Sequence, residues 1–243
     1  MTEDPQAIGD RAGRALAQKL ESLQRAGVTH LGRPPALETV SAQSAPETGL
    51  PAEREGRAGA LARVAAEVAA CTRCDELARS RTQTVFGVGS PDARLVFLGE
   101  APGGDEDRQG EPFVGRAGQL LTNMIESGMK IRRRDVYILN ILKCHPPGNR
   151  NPLPVEAAAC RQYLDRQLEI IRPEFICCLG AVAAQNLLDT TAAIGRLRGR
   201  FHDDQGIKVL CTYHPAYLLR NPAAKRPAWE DLQLLMAEMG LEK

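Results

Sequence analysis

Three groups of residues in this chain stand at spacings that could do chemistry. Cys71 and Cys74 in "CTRC", Cys144 in "LKCHPP" and Cys160 in "AAACRQ" lie beside polar or helix-boundary residues. Their spacing is C-x2-C, then 69 residues, then C-x15-C. A C-x2-C pair can grip one metal centre, and folding can bring a second pair alongside. Four thiolates suit either zinc or an iron–sulfur cluster, and spacing does not separate the two. A thiol oxidoreductase fits less well, because its CxxC follows a first strand and this one precedes it. Cys177, Cys178 and Cys211 fall inside the apolar runs "FICCLG" and "IKVLCTY". There cysteine packs as a small hydrophobe.

The second group is "GEAPGGDEDRQGEPFVGRAGQLL", residues 99–121, which places glycines, five carboxylates and Phe113 between an apolar and an amphipathic run. The plain reading is a long polar loop. The sharper one is a pocket for something flat and anionic, since glycines let backbone amides approach a ligand and Phe113 offers a stacking face. The third group is Asn140 and His214, each at the end of an apolar run. A lone strand-terminal Asn is more often a turn-former, and a lone His more often a hydrogen-bonded surface residue. In company with Phe113 they mean more. Asn carries a donor and an acceptor in one plane, matching the edge of a nucleobase. The set fits a flipped-out base and, less well, a nucleotide monophosphate or a flavin ring. In "HPAYLLR", Leu218 and Leu219 precede Arg220. Apolar wedges beside a basic residue prise open a base stack from the minor groove. The alternative is a helix start that simply packs.

Elements must position these groups. Four short apolar runs, 94–99, 136–141, 174–180 and 207–213, read as buried strands. Helical patterns separate them: "ALARVAAEVAA" before the first, one from near Gly115, one over 154–171 with Pro154 in its first turn, "AVAAQNLLD", and "AWEDLQLLMAEMG" at the end. This alternation predicts an α/β fold with a parallel sheet covered on both faces. Ligands bind such sheets beyond the carboxyl ends of the strands, where Gly99, Asn140, Gly180 and His214 all fall. Residues 11–26 carry Leu16, Leu20 and Leu23 on one helical face, and 32–59 is rich in Pro, Ala, Gly and charge. We expect a helix and a largely disordered linker over 1–59, and the folded domain over 60–243. The tethered helix is a candidate for binding a partner protein, not for chemistry.

Composition bounds the function. With 31 Lys and Arg against 30 Asp and Glu, the net charge is +1. No global basic field attracts nucleic acid, so local patches would have to hold it: Arg132-Arg133-Arg134, Arg196/Arg198/Arg200, or Arg220 with Lys225 and Arg226. No apolar run approaches the roughly 20 residues of a membrane span. The acidic start "MTEDPQAIGD" lacks a signal-peptide core, and seven cysteines without a disulfide pattern suit a reducing compartment. We expect a cytoplasmic monomer.

Taken together, "CTRC", "TVFGVGSPDARLVFLGEAPGGDED", "GEPFVGRAGQLL", "LNILKCHPPGNRNP", the Cys160 helix, "LRGRF" and "TYHPAYLLR" resemble the family 4 uracil-DNA glycosylases. These form the iron–sulfur branch of the uracil-DNA glycosylase superfamily. The resemblance covers roughly residues 60–240. It implies a three-layer α/β/α sandwich around a four-stranded parallel sheet, uracil-containing DNA as partner, and a [4Fe–4S] cluster held by Cys71, Cys74, Cys144 and Cys160. It also implies that Phe113 stacks on extruded uracil, that Asn140 reads its O4/N3 edge and that His214 faces O2. Gly99 and the backbone at Glu100 and Ala101 would shape the pocket. Glu106 would lie near C5 and the attacking water, and Asn149 matches a further position of the site. Leu218, Leu219 and Arg220 would form the DNA wedge and phosphate contact.

Two departures qualify it. Family 1 enzymes carry an aspartate where this chain has Ala101, so a general base would have to be Glu100 or Glu106. A "KRRIH" insertion that traps DNA covalently in a related branch is absent, so turnover is expected. Two other classes compete: a catalytically weak iron–sulfur nucleic-acid-binding module of the same fold, and an electron-transfer protein. The retained Phe113, Asn140 and His214 argue against the first, and the lack of a second cofactor motif against the second.

Overall fold

The computed structural model describes residues 51–241, with side chains from residue 56 onward. The helix expected over 11–26, and the linker as far as residue 50, lie outside the described residues.

Six strands form one sheet: β1 (Val88–Gly89), β2 (Leu95–Gly99), β3 (Tyr137–Asn140), β4 (Phe175–Leu179), β5 (Phe201–Asp204) and β6 (Ile207–Thr212), in the order β1-β3-β2-β4-β6-β5. The four expected strands are β2, β3, β4 and β6, and all pair in parallel. The sequence reading lacked two short edge strands, β1 antiparallel to β3 and β5 antiparallel to β6. Both are too short or too polar to stand out by periodicity.

Successive residues of a strand face opposite sides, so one continuous apolar run supplies two cores. Leu95 and Phe97 face one layer, with α4 (Arg116–Asn123) and α9 (Lys225–Glu238), where Leu121, Leu232 and Leu235 are buried. Val96 and Leu98 face the other, with α5 (Pro154–Ile171) and α6 (Ala181–Leu187), against Leu164, Leu168 and Ala183. The result is the three-layer α/β/α sandwich. Leu98 is fully buried, and truncation to Ala there costs about 2–5 kcal/mol. Cys177, Cys178 and Cys211 are buried core residues, as expected.

Further helices complete the chain: α1 (Pro51–Ala69), α2 (Asp75–Ser80), α3 (Gly104–Gln109), α7 (Ile194–Leu197) and α8 (Pro215–Arg220). Helix α1 starts earlier than the periodic run at residue 60, with a break at Gly56. Its Val64 and Val68 pack on Tyr163 of α5. Helix α3 lies within what the sequence alone presents as a loop.

The order of strands places a topological switch at β2: β3 lies on one side and β4 on the other. The loops leaving β2 and β3 therefore diverge over a crevice at the carboxyl edge.

Candidate active site

Gly99 and Asn140 end adjacent parallel strands in direct register. A Cβ at Gly99 would lie 2.2 Å from Asn140 Oδ1 and 2.7 Å from Phe113 Cε2 and Cζ. Only glycine lets the ring and the amide converge on the strand end. Asn140 is 2% exposed and its Oδ1 has no hydrogen-bond partner among the described residues. A buried acceptor left open costs stability unless a ligand fills it. Its main-chain carbonyl accepts from the Nζ of fully buried Lys143, at 2.8 Å, which fixes the strand end from below.

Phe113 is buried with φ +56°, a left-handed conformation unusual for an aromatic residue. Three neighbours hold it there. Arg133 Nη2 donates to the carbonyls of Pro112 and Phe113 at 2.8 and 3.1 Å. Glu106 Oε1 accepts from the N–H groups of Val114 and Gly115 at 2.9 and 3.0 Å, while Oε2 accepts from Gly103 at 3.1 Å. Gly118 admits the Phe113 backbone against α4, where a Cβ would meet the Phe113 carbonyl oxygen at 1.8 Å.

His214 caps α8. Its Nδ1 accepts from the Ala216 N–H at 3.1 Å, so the hydrogen of the neutral imidazole sits on Nε2. Burial, with Arg220 next in weight, pushes its pKa down to about 4, against an opposing pull from Glu106. The ring lies 5.6 Å from that of Phe113, tilted by 33°. His214 is therefore a neutral N–H donor at neutral pH.

Phe113, Asn140 and His214 line one cleft of about 490 Å³, together with Glu100, Ala101, Pro102, Gly103, Glu106, Ala117, Asn149, Asn151, Ala216 and Arg220. The structure thus brings Gly99, Glu100, Ala101, Glu106, Phe113, Asn140, Asn149, His214 and Arg220 to one edge. The five carboxylates of the opening loop part company there. Asp105 pairs with Arg108, Asp107 takes the Thr82 N–H on both oxygens, and Glu111 lies outside the cleft near Arg133. Glu106 faces the cleft but is committed to three backbone donors. The Glu100 carboxylate has no hydrogen-bond partner among the described residues, though its main-chain carbonyl accepts from the Leu142 N–H at 3.1 Å, and burial holds its pKa above the ordinary carboxylate range. Of the two carboxylates in the cleft, Glu100 is the one with its oxygens available. Asn149 sits at the rim with φ +55°, its Oδ1 accepting from His145 Nε2 at 3.0 Å.

Several expectations need correction. Leu218 is 2% exposed, packed inside, and cannot wedge into DNA; Leu219 and Tyr217 are the exposed apolar side chains of α8. Arg133 and Arg198 turn inward, onto loop carbonyls and onto Asp231 respectively, so neither basic run is a row of phosphate ligands. Arg220, Arg196, Arg200 and Lys225 remain exposed. Sequence reasoning missed Asn151 and Lys143 as site residues, and the hold of Arg133 on the Phe113 loop; only Asn151, in "NRNP", carried a usable signal, its proximity to Asn149.

A second cavity is lined by Cys71, Cys74, Cys144 and Cys160, with Arg73, Arg81, Lys143 and Tyr163 around them. All four are free, half-buried thiols. Burial raises the pKa values of Cys74 and Cys144 and pushes Cys160 up to about 11; Arg81 acts against this at Cys144 and Lys143 at Cys160. Arg81 Nη1 donates to Cys144 Sγ at 3.1 Å. No three His, Cys, Asp or Glu side chains among the described residues are grouped to hold one metal ion. Four sulfurs around a shared cavity, with Arg81 and Lys143 beside two of them, make a donor set suited to a thiolate-held metal group.

The fold and the cleft define a class: a three-layer α/β/α protein with a cleft at the switch point of its sheet, walled by an aromatic ring, a buried amide and a neutral histidine. The model of the uracil DNA glycosylase superfamily matches residues 86–233. The chain is 47% identical over 175 residues to a type-4 uracil-DNA glycosylase of Archaeoglobus fulgidus, covering 69% of this chain and 87% of that one. It is 49% identical over 175 residues to that of Thermotoga maritima, covering 70% and 90%. It is 40% identical over 181 residues to that of Sulfurisphaera tokodaii, covering 71% and 82%. The chain belongs to the uracil-DNA glycosylase superfamily, among its type-4 members. No helix among the described residues is long and apolar enough to cross a membrane.

Proposed function

We propose that this chain is a DNA-repair glycosylase that extracts uracil from DNA and hydrolyses its N-glycosidic bond, giving free uracil and an abasic site. The observation that carries this reading is the open acceptor of Asn140, 2% exposed, beside the Phe113 ring and the neutral His214. The residues lining the cleft all fall between 100 and 220, and we assign the activity to residues 60–243. The seven free thiols support a reducing, cytoplasmic setting.

Extruding a stacked base costs a few kcal/mol. Stacking on Phe113 and two hydrogen bonds from Asn140, acceptor to N3–H and donor to O4, offset it. As the bond from the sugar to N1 breaks, its electron pair moves into the ring and builds charge at O2. His214 Nε2–H is placed by its cap to meet that charge without first acquiring a proton. A donor fixed in advance stabilises the transition state more than the ground state. The sugar becomes cation-like, which the Glu100 carboxylate favours. Water adds at the sugar carbon and gives its proton to Glu100, whose raised pKa suits a base. Glu106 acts as a positioning residue, holding the Phe113 loop.

Cys71, Cys74, Cys144 and Cys160 would hold a [4Fe–4S] cluster. Bound there, it supplies a covalent tie between the α1–α2 segment, the loop after β3 and α5. The test is chromatographic detection of free uracil. Duplex DNA containing uracil should release it in proportion to abasic sites, while DNA carrying only thymine and cytosine should release nothing. Equal release from both, or none from either, refutes the assignment.

A further inference from the structure

With Leu218 buried, Leu219 is the one expected wedge leucine that reaches solvent, and Tyr217 on the same helix offers a different device. Tyr217 is 40% exposed on α8, the six-residue helix whose cap His214 and members Ala216 and Arg220 line the cleft. Its ring stacks on Tyr213 with centroids 5.2 Å apart and planes 27° from parallel. The Arg198 guanidinium lies over the Tyr213 ring at 5.3 Å. Arg198 is itself fixed, with Nε donating to Asp231 Oδ2 at 3.0 Å and Nη2 to the Pro227 carbonyl. Asp231 is 1% exposed and also accepts from Thr212 Oγ1 at 2.7 Å, at the end of β6 and one residue before Tyr213. A buried ion pair thus supports a cation–π contact, which supports an aromatic stack that ends in solvent beside the cleft.

We propose that Tyr217 is a stacking platform for the base that neighbours the extruded uracil, and that Asp231, Arg198 and Tyr213 are positioning residues that hold its ring. This rests on the uracil-excision reading. An exposed aromatic ring otherwise presents apolar surface to water without return. Here its position fits it to cover the base face uncovered when the adjacent uracil leaves the stack. A flat ring suits that task better than the Leu218 side chain, and preformed support spares the cost of ordering it on binding. Base–aromatic stacking of ordinary strength predicts a loss on the order of 5- to 100-fold in kcat/KM when the ring is removed.

The test compares wild type with Tyr217→Ala, Tyr217→Phe and Tyr213→Leu under single turnover, on a uracil duplex and on the same strand unpaired. A second readout uses 2-aminopurine placed beside the uracil, whose fluorescence falls when it stacks on an aromatic ring. We expect Tyr217→Ala to lose 5- to 100-fold on the duplex, by the stacking estimate above, less on the single strand, and to leave the probe bright. Phe should restore both readouts, and Tyr213→Leu should fall between, with melting temperatures of the Tyr217 variants unchanged. Duplex excision by Tyr217→Ala within twofold of wild type overturns the proposal, as does equal loss on both substrates or failure of Phe to rescue. If wild type itself releases no uracil, the excision reading fails instead, so the two failures are distinguishable.

Discussion

Replacing Asn140 by Asp changes one group and keeps the shape, so its effect isolates hydrogen-bond polarity. Asn140 is 2% exposed, and its Oδ1 waits unpartnered. In the complex it accepts from uracil N3–H while the amide NH2 donates to O4. An ionised Asp keeps the first contact and loses the second, leaving two acceptors face to face in a dry site. A mispaired buried group costs about 1–3 kcal/mol, more when charged. We therefore expect roughly 3 kcal/mol, about 100-fold in kcat/KM at pH 8. Protonation of the new acid restores an O–H donor for O4, so the deficit relative to wild type at the same pH should narrow as pH falls. Cytosine presents the reverse polarity at both positions, and two mismatches reject it by roughly 10² to 10⁴ in wild type. The Asp carboxylate accepts from the cytosine amine and removes one mismatch, so faint cytosine excision should appear. The assay is single-turnover cleavage of labelled strands carrying uracil or cytosine in an abasic-detecting gel. Near wild-type uracil excision by Asn140→Asp at pH 8 refutes the reasoning, because Asn140 would then not be the reader.

His214, lowered to about 4, is neutral across the physiological range, so the excision rate should not fall as pH rises through 6.5. Its folded pKa lies below its unfolded one; the stability it contributes is complete above pH 6.5 and lost as pH falls through 4. The loss is about 3 kcal/mol at most, visible as a falling melting temperature, and an excision rate that falls as pH rises through 6.5 would mark an imidazolium donor. Glu106→Gln breaks a three-bond clamp and should lower stability by about 1.5–3 kcal/mol along with activity. Glu100→Gln should leave the melting temperature in place and lower kcat; the opposite pattern would exchange their roles. Protein purified without oxygen should be brown, with about four irons per chain, and Cys144→Ala should bleach it and lower its melting temperature. Stoichiometric zinc in a colourless preparation would contradict the cluster.

The sequence made the four parallel strands legible because each is a continuous apolar run bounded by polar residues. Their carboxyl ends then placed Gly99, Asn140 and His214 together. The Gly99–Asn140 contact itself was out of reach, since it depends on register between strands 41 residues apart in the chain. The roles of the loop carboxylates were hidden for a related reason: Asp105, Glu106 and Asp107 are consecutive, and only folding decides which meets Arg108, which the loop amides and which Thr82. In "YLLR" the helix start was visible but its rotation was not. That rotation buries Leu218 and exposes Tyr217 and Leu219. Arg133 and Arg198 looked like surface charge because nothing local marks an arginine that bonds carbonyls or a carboxylate far along the chain.

The most direct measurement is excision from a duplex carrying one uracil in a labelled strand, run with the full chain and with Asn140→Ala, alongside DNA binding by both. The account predicts that the wild-type reaction gives one abasic site per uracil released. Asn140→Ala should bind the duplex comparably and excise at least tenfold more slowly, because it loses both hydrogen bonds to the base. Intact uracil strands after incubation with folded wild-type protein, or undiminished excision by Asn140→Ala, would contradict it.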